Sequence, residues 1–244
     1  MGAHSELVEE PLENRSRIGI GPVRPTIKSK NRRDIGKVIF RKNRIKYGQE
    51  VTTANLAGED LSWTQLVNVN FSSAKLSGAN FTFANMTNGN LSLANLTGAD
   101  LTNAILSRGN LDHANLTGVR AVYANFTYAS LLGANCPYAD FRDAIFLNAN
   151  LNGVNFTGAN LSGADFSCSG KGAMNHTYPS TTSDADIANA NELMFGLKSA
   201  SISGAIFTGA NLSMANLKDV DLSNVDLRNA HLTGAKMPDG TIHP

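Results

Sequence analysis

Residues 94–101 read ANLTGADL and residues 159–166 read ANLSGADF, one phrase written twice a whole number of fives apart. Stepping by five outward from Leu96 meets a large apolar residue at nearly every stop. The stops run from Leu56 through Leu61, Leu66 and Phe71 to Leu161 and Phe166. Of these 23 centres, 21 are Leu, Phe or Met; Ala121 and Cys136 depart from the rule. Two residues before each centre the residue is mostly Ala, with Val or Gly in most of the remaining repeats. Between them sits mostly Asn or Asp, and the residue after the centre is often Ser or Thr. A period of five matches neither the 3.6 of a helix nor the 2 of a flat strand.

The A-(D/N)-L-x-x pattern resembles the pentapeptide-repeat family over roughly residues 49–239. That resemblance implies an all-β fold, a right-handed quadrilateral parallel β-helix in which four repeats make one 20-residue coil. In such a coil the large centre fills the middle, and the Ala two before it lets the corners approach. Asn and Asp then lie outside, where their side chains can bond corner backbone. Coils pair like neighbouring parallel strands, roughly 4.8 Å apart. Each coil touches only its neighbours, so stability accumulates along the stack.

The phase breaks once. After Ala164–Cys168 the segment SGKGAMNHTYPSTTSD, residues 169–184, has no centres. The period resumes at Ile187 and continues through Glu192, Leu197, Ile202 and Phe207 to Met237. From Phe166 to Ile187 is one coil plus one residue, which predicts a single stack with a loop at the join. Glu192 at a centre is anomalous. The predicted organisation is a basic extended arm over 1–48, a β-helix over 49–239 interrupted by loop 169–184, and a tail over 240–244. Lys37–Gly48 is expected to cover the first coil, and MPDGTIHP at the end to cap the last. There is no C-terminal helix of the kind that dimerises some gyrase-protecting relatives.

The formal charge of +1 conceals unlike parts. Residues 1–48 carry 12 Lys and Arg against 5 Asp and Glu. The remainder of the chain carries 9 against 15. A basic arm on an acidic body points to an acidic partner; a solvated tail is the plainer reading. The arm residues that would carry the contact are Arg15, Arg17, Arg24, Lys28, Lys30, Arg32, Arg33, Arg41, Lys42 and Arg44. No run of 18 apolar residues suggests a membrane span, and no apolar leader suggests export. A soluble cytoplasmic protein is expected.

Signals for chemistry are weak. None of the five histidines lies at metal-ligand spacing from a Cys or another His. Cys136 falls on a buried centre and reads as an inert small hydrophobe, whereas Cys168 faces outward beside the loop. Gly19-Ile20-Gly21 lacks the strand–helix frame of a dinucleotide site. The Asn-x-Ser/Thr triplets follow from the repeat itself. A packed interior predicts no pocket, no cofactor, no metal and no enzyme.

Residues 20 apart share a column on the outside of the rod. The column at 63, 83, 103, 123 and 143 holds Trp63, Phe83, Asn103, Tyr123 and Asp143. Val67, Ile105, Ile145 and Leu147 fall near the same corner. Clustered exposed aromatics predict a protein-binding patch, against a chance coincidence at tolerant positions. Two classes of function follow. One is a non-enzymatic linker or scaffold that holds subunits of an acidic assembly through the arm and the Trp63 face. Pentapeptide-repeat proteins are common in cyanobacteria, and the arm is similar in composition to phycobilisome linkers, which implies phycobiliproteins as the partner. The other is a nucleic-acid-linked role, as a DNA mimic acting on a topoisomerase or through direct phosphate binding by the arm. A body of this modest negative charge mimics DNA poorly.

Overall fold

The computed structural model describes residue 48 and residues 51–167 and 199–244. The described chain winds as the expected right-handed, four-sided β-helix. Every repeat spends its five residues alike. Leu61 donates its N–H to the Asn80 carbonyl at 2.7 Å, one coil on, and Asn80 donates back to Glu59 at 2.9 Å. The rungs so formed join residues 20 apart in parallel: Asp60 with Asn80, Asn80 with Asp100, Asp100 with Arg120. Side 1 carries rungs from Asn55, side 2 from Asp60, side 3 from Gln65 and side 4 from Asn70.

The corners explain the rest of the five-residue code. The Ala79 N–H closes on the Leu76 carbonyl at 3.1 Å, three residues back. The third residue of that turn, Gly78, has φ +64°. A positive φ at that place is the signature of a type II turn. At the equivalent corner of side 2, Trp63, Phe83, Asn103 and Tyr123 take φ between +57° and +59°. Such a conformation costs about 1 kcal/mol or more for a residue with a side chain. The ladder compensates for it, because Trp63 thereby donates its N–H to the Thr82 carbonyl at 2.9 Å. The Asn before each centre folds over the same turn. Asn80 Oδ1 accepts the Thr82 N–H at 3.0 Å, and Asn115 Oδ1 accepts both the N–H (3.1 Å) and the hydroxyl (2.6 Å) of Thr117.

Inside, the centres stack in columns. Phe126, Phe146 and Phe166 lie face to face at 5.1 Å per step, with Phe141 set edge-on to the first two. Cys136 is fully buried in the column between Leu116 and Phe156, and burial pushes its thiol far up. Val51 acts as one further centre ahead of Leu56, donating to the Asn70 carbonyl at 2.8 Å.

The join between the two runs differs from expectation. Asn150 pairs with Ser201, Asn155 with Ile206 and Asn160 with Asn211, each 51 residues apart rather than 20. Phe156 stacks on Phe207 at 5.1 Å across that step. The Ala200 N–H closes on the Phe166 carbonyl at 2.8 Å, as at any corner. Ile202 is therefore the next centre after Phe166, and no coil intervenes. The excursion leaves between two residues of one turn, Ser167 and Ser199. It is longer than the expected 169–184 break, because the five-residue period resumes in sequence before the chain re-enters the ladder. That break, Cys168, and the centres Ile187, Glu192 and Leu197 lie outside the described residues.

At the C-terminal end, Lys236 pairs antiparallel with Ile242, and His243 donates to the Ala235 carbonyl at 2.8 Å. This short hairpin covers one side of the last coil. Leu222, Leu227 and Leu232 remain only partly buried. At the other end the Gly48 N–H continues the ladder to the Val67 carbonyl at 3.0 Å; the remainder of the expected Lys37–Gly48 cover lies outside the described residues.

Candidate protein-contact surface

The outer column of side 2 is built by the turns just described. A positive φ at the corner directs each side chain out of the coil and along the rod. The same lean places the His113 ring over Gly133 on side 4, where an added Cβ would lie 2.7 Å from Nδ1. On side 2 it lays Trp63 against Phe83, with ring centroids 4.2 Å apart and planes 14° from parallel. Trp63 is 55% exposed, Phe83 42% and Tyr123 49%. The structure thus brings the first two together in direct contact and sets Tyr123 two coils further on. Asn103 lies between.

The surroundings only partly match the sequence reading. Ile145 and Leu147 are buried and contribute no surface. Val67 and Ile105 are half-buried beside the column. The direct 163–214 step adds a residue that sequence spacing misplaces. Gly163 donates to the Ser213 carbonyl at 2.9 Å, so Met214, 71% exposed, continues the Trp63 column. Only the correct register could have found it. The arm residues Arg15, Arg17, Arg24, Lys28, Lys30, Arg32, Arg33, Arg41, Lys42 and Arg44 lie outside the described residues.

The charged groups of side 2 are largely paired. Arg142 grips Asp140 through Nε at 2.8 Å and Nη2 at 2.7 Å. Burial opposes ionisation of Asp140, but the Arg142 hydrogen bonds and charge prevail and hold its carboxyl below the ordinary range. Arg120 approaches Asp100 more loosely, at 3.9 Å. Asp143 is exposed one coil beyond Tyr123.

A shallow cleft of about 230 Å³ lies where the chain re-enters the stack, lined by Ser199, Ser201, Ser203, Asp219, Asp221 and Asn224. It exists because the expected Ser201–Asp221 rung is absent among the described residues, while Ile206–Asp226 on the next side is formed. The expectation of no pocket therefore fails at this one opened ladder. No group of three His, Cys, Asp or Glu among the described residues could hold a metal ion. No helix among them is long and apolar enough to cross a membrane.

A four-sided β-helix written in five-residue repeats, with its contact groups on outer corners, is the architecture of a protein-binding rod. The sequence profile of pentapeptide repeats matches it in 8 copies, over residues 54–92, 94–131, 110–148, 134–167 and 197–237. The chain belongs to the pentapeptide-repeat family. No curated protein matches it. Among solved structures it is similar to HetL, a pentapeptide-repeat protein involved in heterocyst differentiation regulation from the cyanobacterium Nostoc sp. strain PCC 7120. The two are 27% identical over 84% of this chain and 98% of that one, with a TM-score of 0.40. It is similar to Rfr23 from the cyanobacterium Cyanothece 51142 at 21% identity over 86% and 99% of the chains, TM-score 0.25. It is also similar to QnrB1, a plasmid-mediated fluoroquinolone resistance protein, at 20% identity over 78% and 85%, TM-score 0.30.

Proposed function

We propose that this protein is a non-catalytic scaffold that holds the subunits of an acidic protein assembly together. Two contacts divide the work. The arm, with its excess of Lys and Arg over residues 15–46, engages acidic surfaces by charge. The side-2 corner supplies a fixed aromatic contact. The observation that carries this reading is the stacked and exposed Trp63–Phe83 pair on a rod whose interior is filled by side chains. Exposed aromatics at a rigid corner lose little conformational freedom on binding, which is why such residues dominate protein interfaces. The specific form of the proposal is a cytoplasmic linker of a light-harvesting antenna, with phycobiliproteins as the acidic subunits.

The test is capture from native lysate by full-length protein, by full-length Trp63→Ala/Phe83→Ala, and by a full-length variant with the ten arm cations named above changed to Gln. A protein assembly retained by wild type and lost from both variants supports the scaffold, and visible biliprotein absorbance supports its antenna form. Retention of a topoisomerase or nucleic acid instead would replace this reading with the DNA-linked one.

A further inference from the structure

The side-2 column has a gap of one planar group. Trp63 and Phe83 stack on consecutive coils at 4.2 Å. The next coil offers Asn103, and the one after it Tyr123. Rungs of a parallel ladder are roughly 4.8 Å apart, so Phe83 and Tyr123 are separated along the rod by about 9.6 Å. A flat group at the level of Asn103 would lie roughly 4.8 Å from each ring, within the range of stacked pairs. Both flanking rings are about half exposed, so the gap opens to solvent at its outer edge.

We propose that this gap is a slot for an arginine side chain presented by a partner protein. A guanidinium is flat and cationic, and it would meet a negative ring face on either side. The nearby acids favour a cation over a neutral aromatic. Asp100, three residues before Asn103, is held by Arg120 only at 3.9 Å, so its oxygens retain acceptor capacity. Asp143 is exposed beyond Tyr123. The two arginines of this side, Arg120 and Arg142, already face Asp100 and Asp140. A lysine ammonium would answer the charge but could not stack on both rings. The slot rests on reading this corner as a protein contact and names the chemistry that it recognises.

Trp63 is the chain's only tryptophan, so its emission reports on this column. Full-length protein is titrated with hexa-arginine and with hexa-lysine while Trp63 fluorescence is followed. The expected result is saturable change with hexa-arginine at concentrations about tenfold lower than with hexa-lysine. The deciding variant is Asn103→Tyr, which fills the gap with a ring the same turn already accepts at position 123. It should abolish the hexa-arginine response although it enlarges the aromatic patch. An equal or stronger response would overturn the slot and leave a general apolar patch. Equal responses to both peptides would overturn the guanidinium. A response that appears only after the seven arm arginines are changed to Lys would place the chain's own arm in the gap and overturn the partner assignment. No response in any form would overturn the proposal outright. The scaffold reading fails by a different result: unchanged capture from lysate by the Trp63→Ala/Phe83→Ala protein.

Discussion

At the residue scale, each position of the five has one physical task. The centre is a volume, and Phe146 shows what its loss would cost. It touches Phe126, Phe141, Phe156 and Phe166 at centroid distances between 5.1 and 6.2 Å. Phe146→Ala opens a cavity that neighbours locked in their own coils cannot close, and it should cost about 3–5 kcal/mol in urea unfolding. The outer acids work through charge. Asp226 is gripped by Arg228 at 2.9 and 2.7 Å, and those hydrogen bonds hold its carboxyl far below the ordinary range. A carboxyl lowered on folding stabilises above its unfolded value, about 3.9, and loses that contribution as pH falls toward the folded one. Asp226→Asn should therefore lower the melting temperature at pH 7. The difference from wild type should be flat down to about pH 5 and shrink below pH 4. A difference that persists undiminished at pH 2 would show that the charge of Asp226 is not what matters.

The element of this fold is the corner rather than a strand. A single rung per side leaves the turn to position everything else, and the turn is held by a side chain as well as by backbone. Asn115 Oδ1 satisfies two donors of Thr117 while its backbone forms the Asn95 and Asn135 rungs. Asn115→Ala should cost about 0.5–1.5 kcal/mol, read by urea unfolding. Asn115→Asp keeps the acceptor and should cost less. The corner is also where sequence is most and least informative. The outward Asn and the inward Leu announce themselves, because each repeats a chemical type. The positive φ of the third turn residue does not, since it is met by Gly78, Asn103 and Tyr123 alike. Only the glycines among them advertise the turn. The Trp63 column was legible because a coil is 20 residues, and columns follow from counting. Met214 was not, because the 51-residue step depends on where the chain re-enters the ladder. Ile145 and Leu147 were misplaced for a related reason: outward positions in the pattern are not always exposed ones.

At the scale of the molecule, the rod is a one-dimensional object with unequal ends. Each coil is held by the coils on either side of it, and the last has only one neighbour. Central coils have fully buried centres, as at Leu101, Leu106 and Leu111. In the last turn of the stack Leu222, Leu227 and Leu232 are only partly buried, and the Lys236–Ile242 hairpin covers one side alone. If stability were shared evenly, amides everywhere would exchange only by global unfolding. If it follows coil contacts, the last coil opens first. Hydrogen exchange should accordingly run fastest from Leu222 to Ala235 and slowest around Leu101–Leu131, and Leu227→Ala should cost less than Leu101→Ala, which belongs in the range of about 2–5 kcal/mol. The opened Ser201–Asp221 ladder lies at the same end and adds to the gradient. The Trp63 corner sits at the other end of the rod, where Leu61 and Leu66 are already fully enclosed. A contact surface held by well-packed coils keeps its geometry while the far end frays. Protection at Trp63 and Phe83 should therefore match the central coils rather than the last one. Equal exchange at Phe83 and Leu227 would mean that the rod unfolds as one unit, and that the corner owes its rigidity to the whole stack rather than to its own coils.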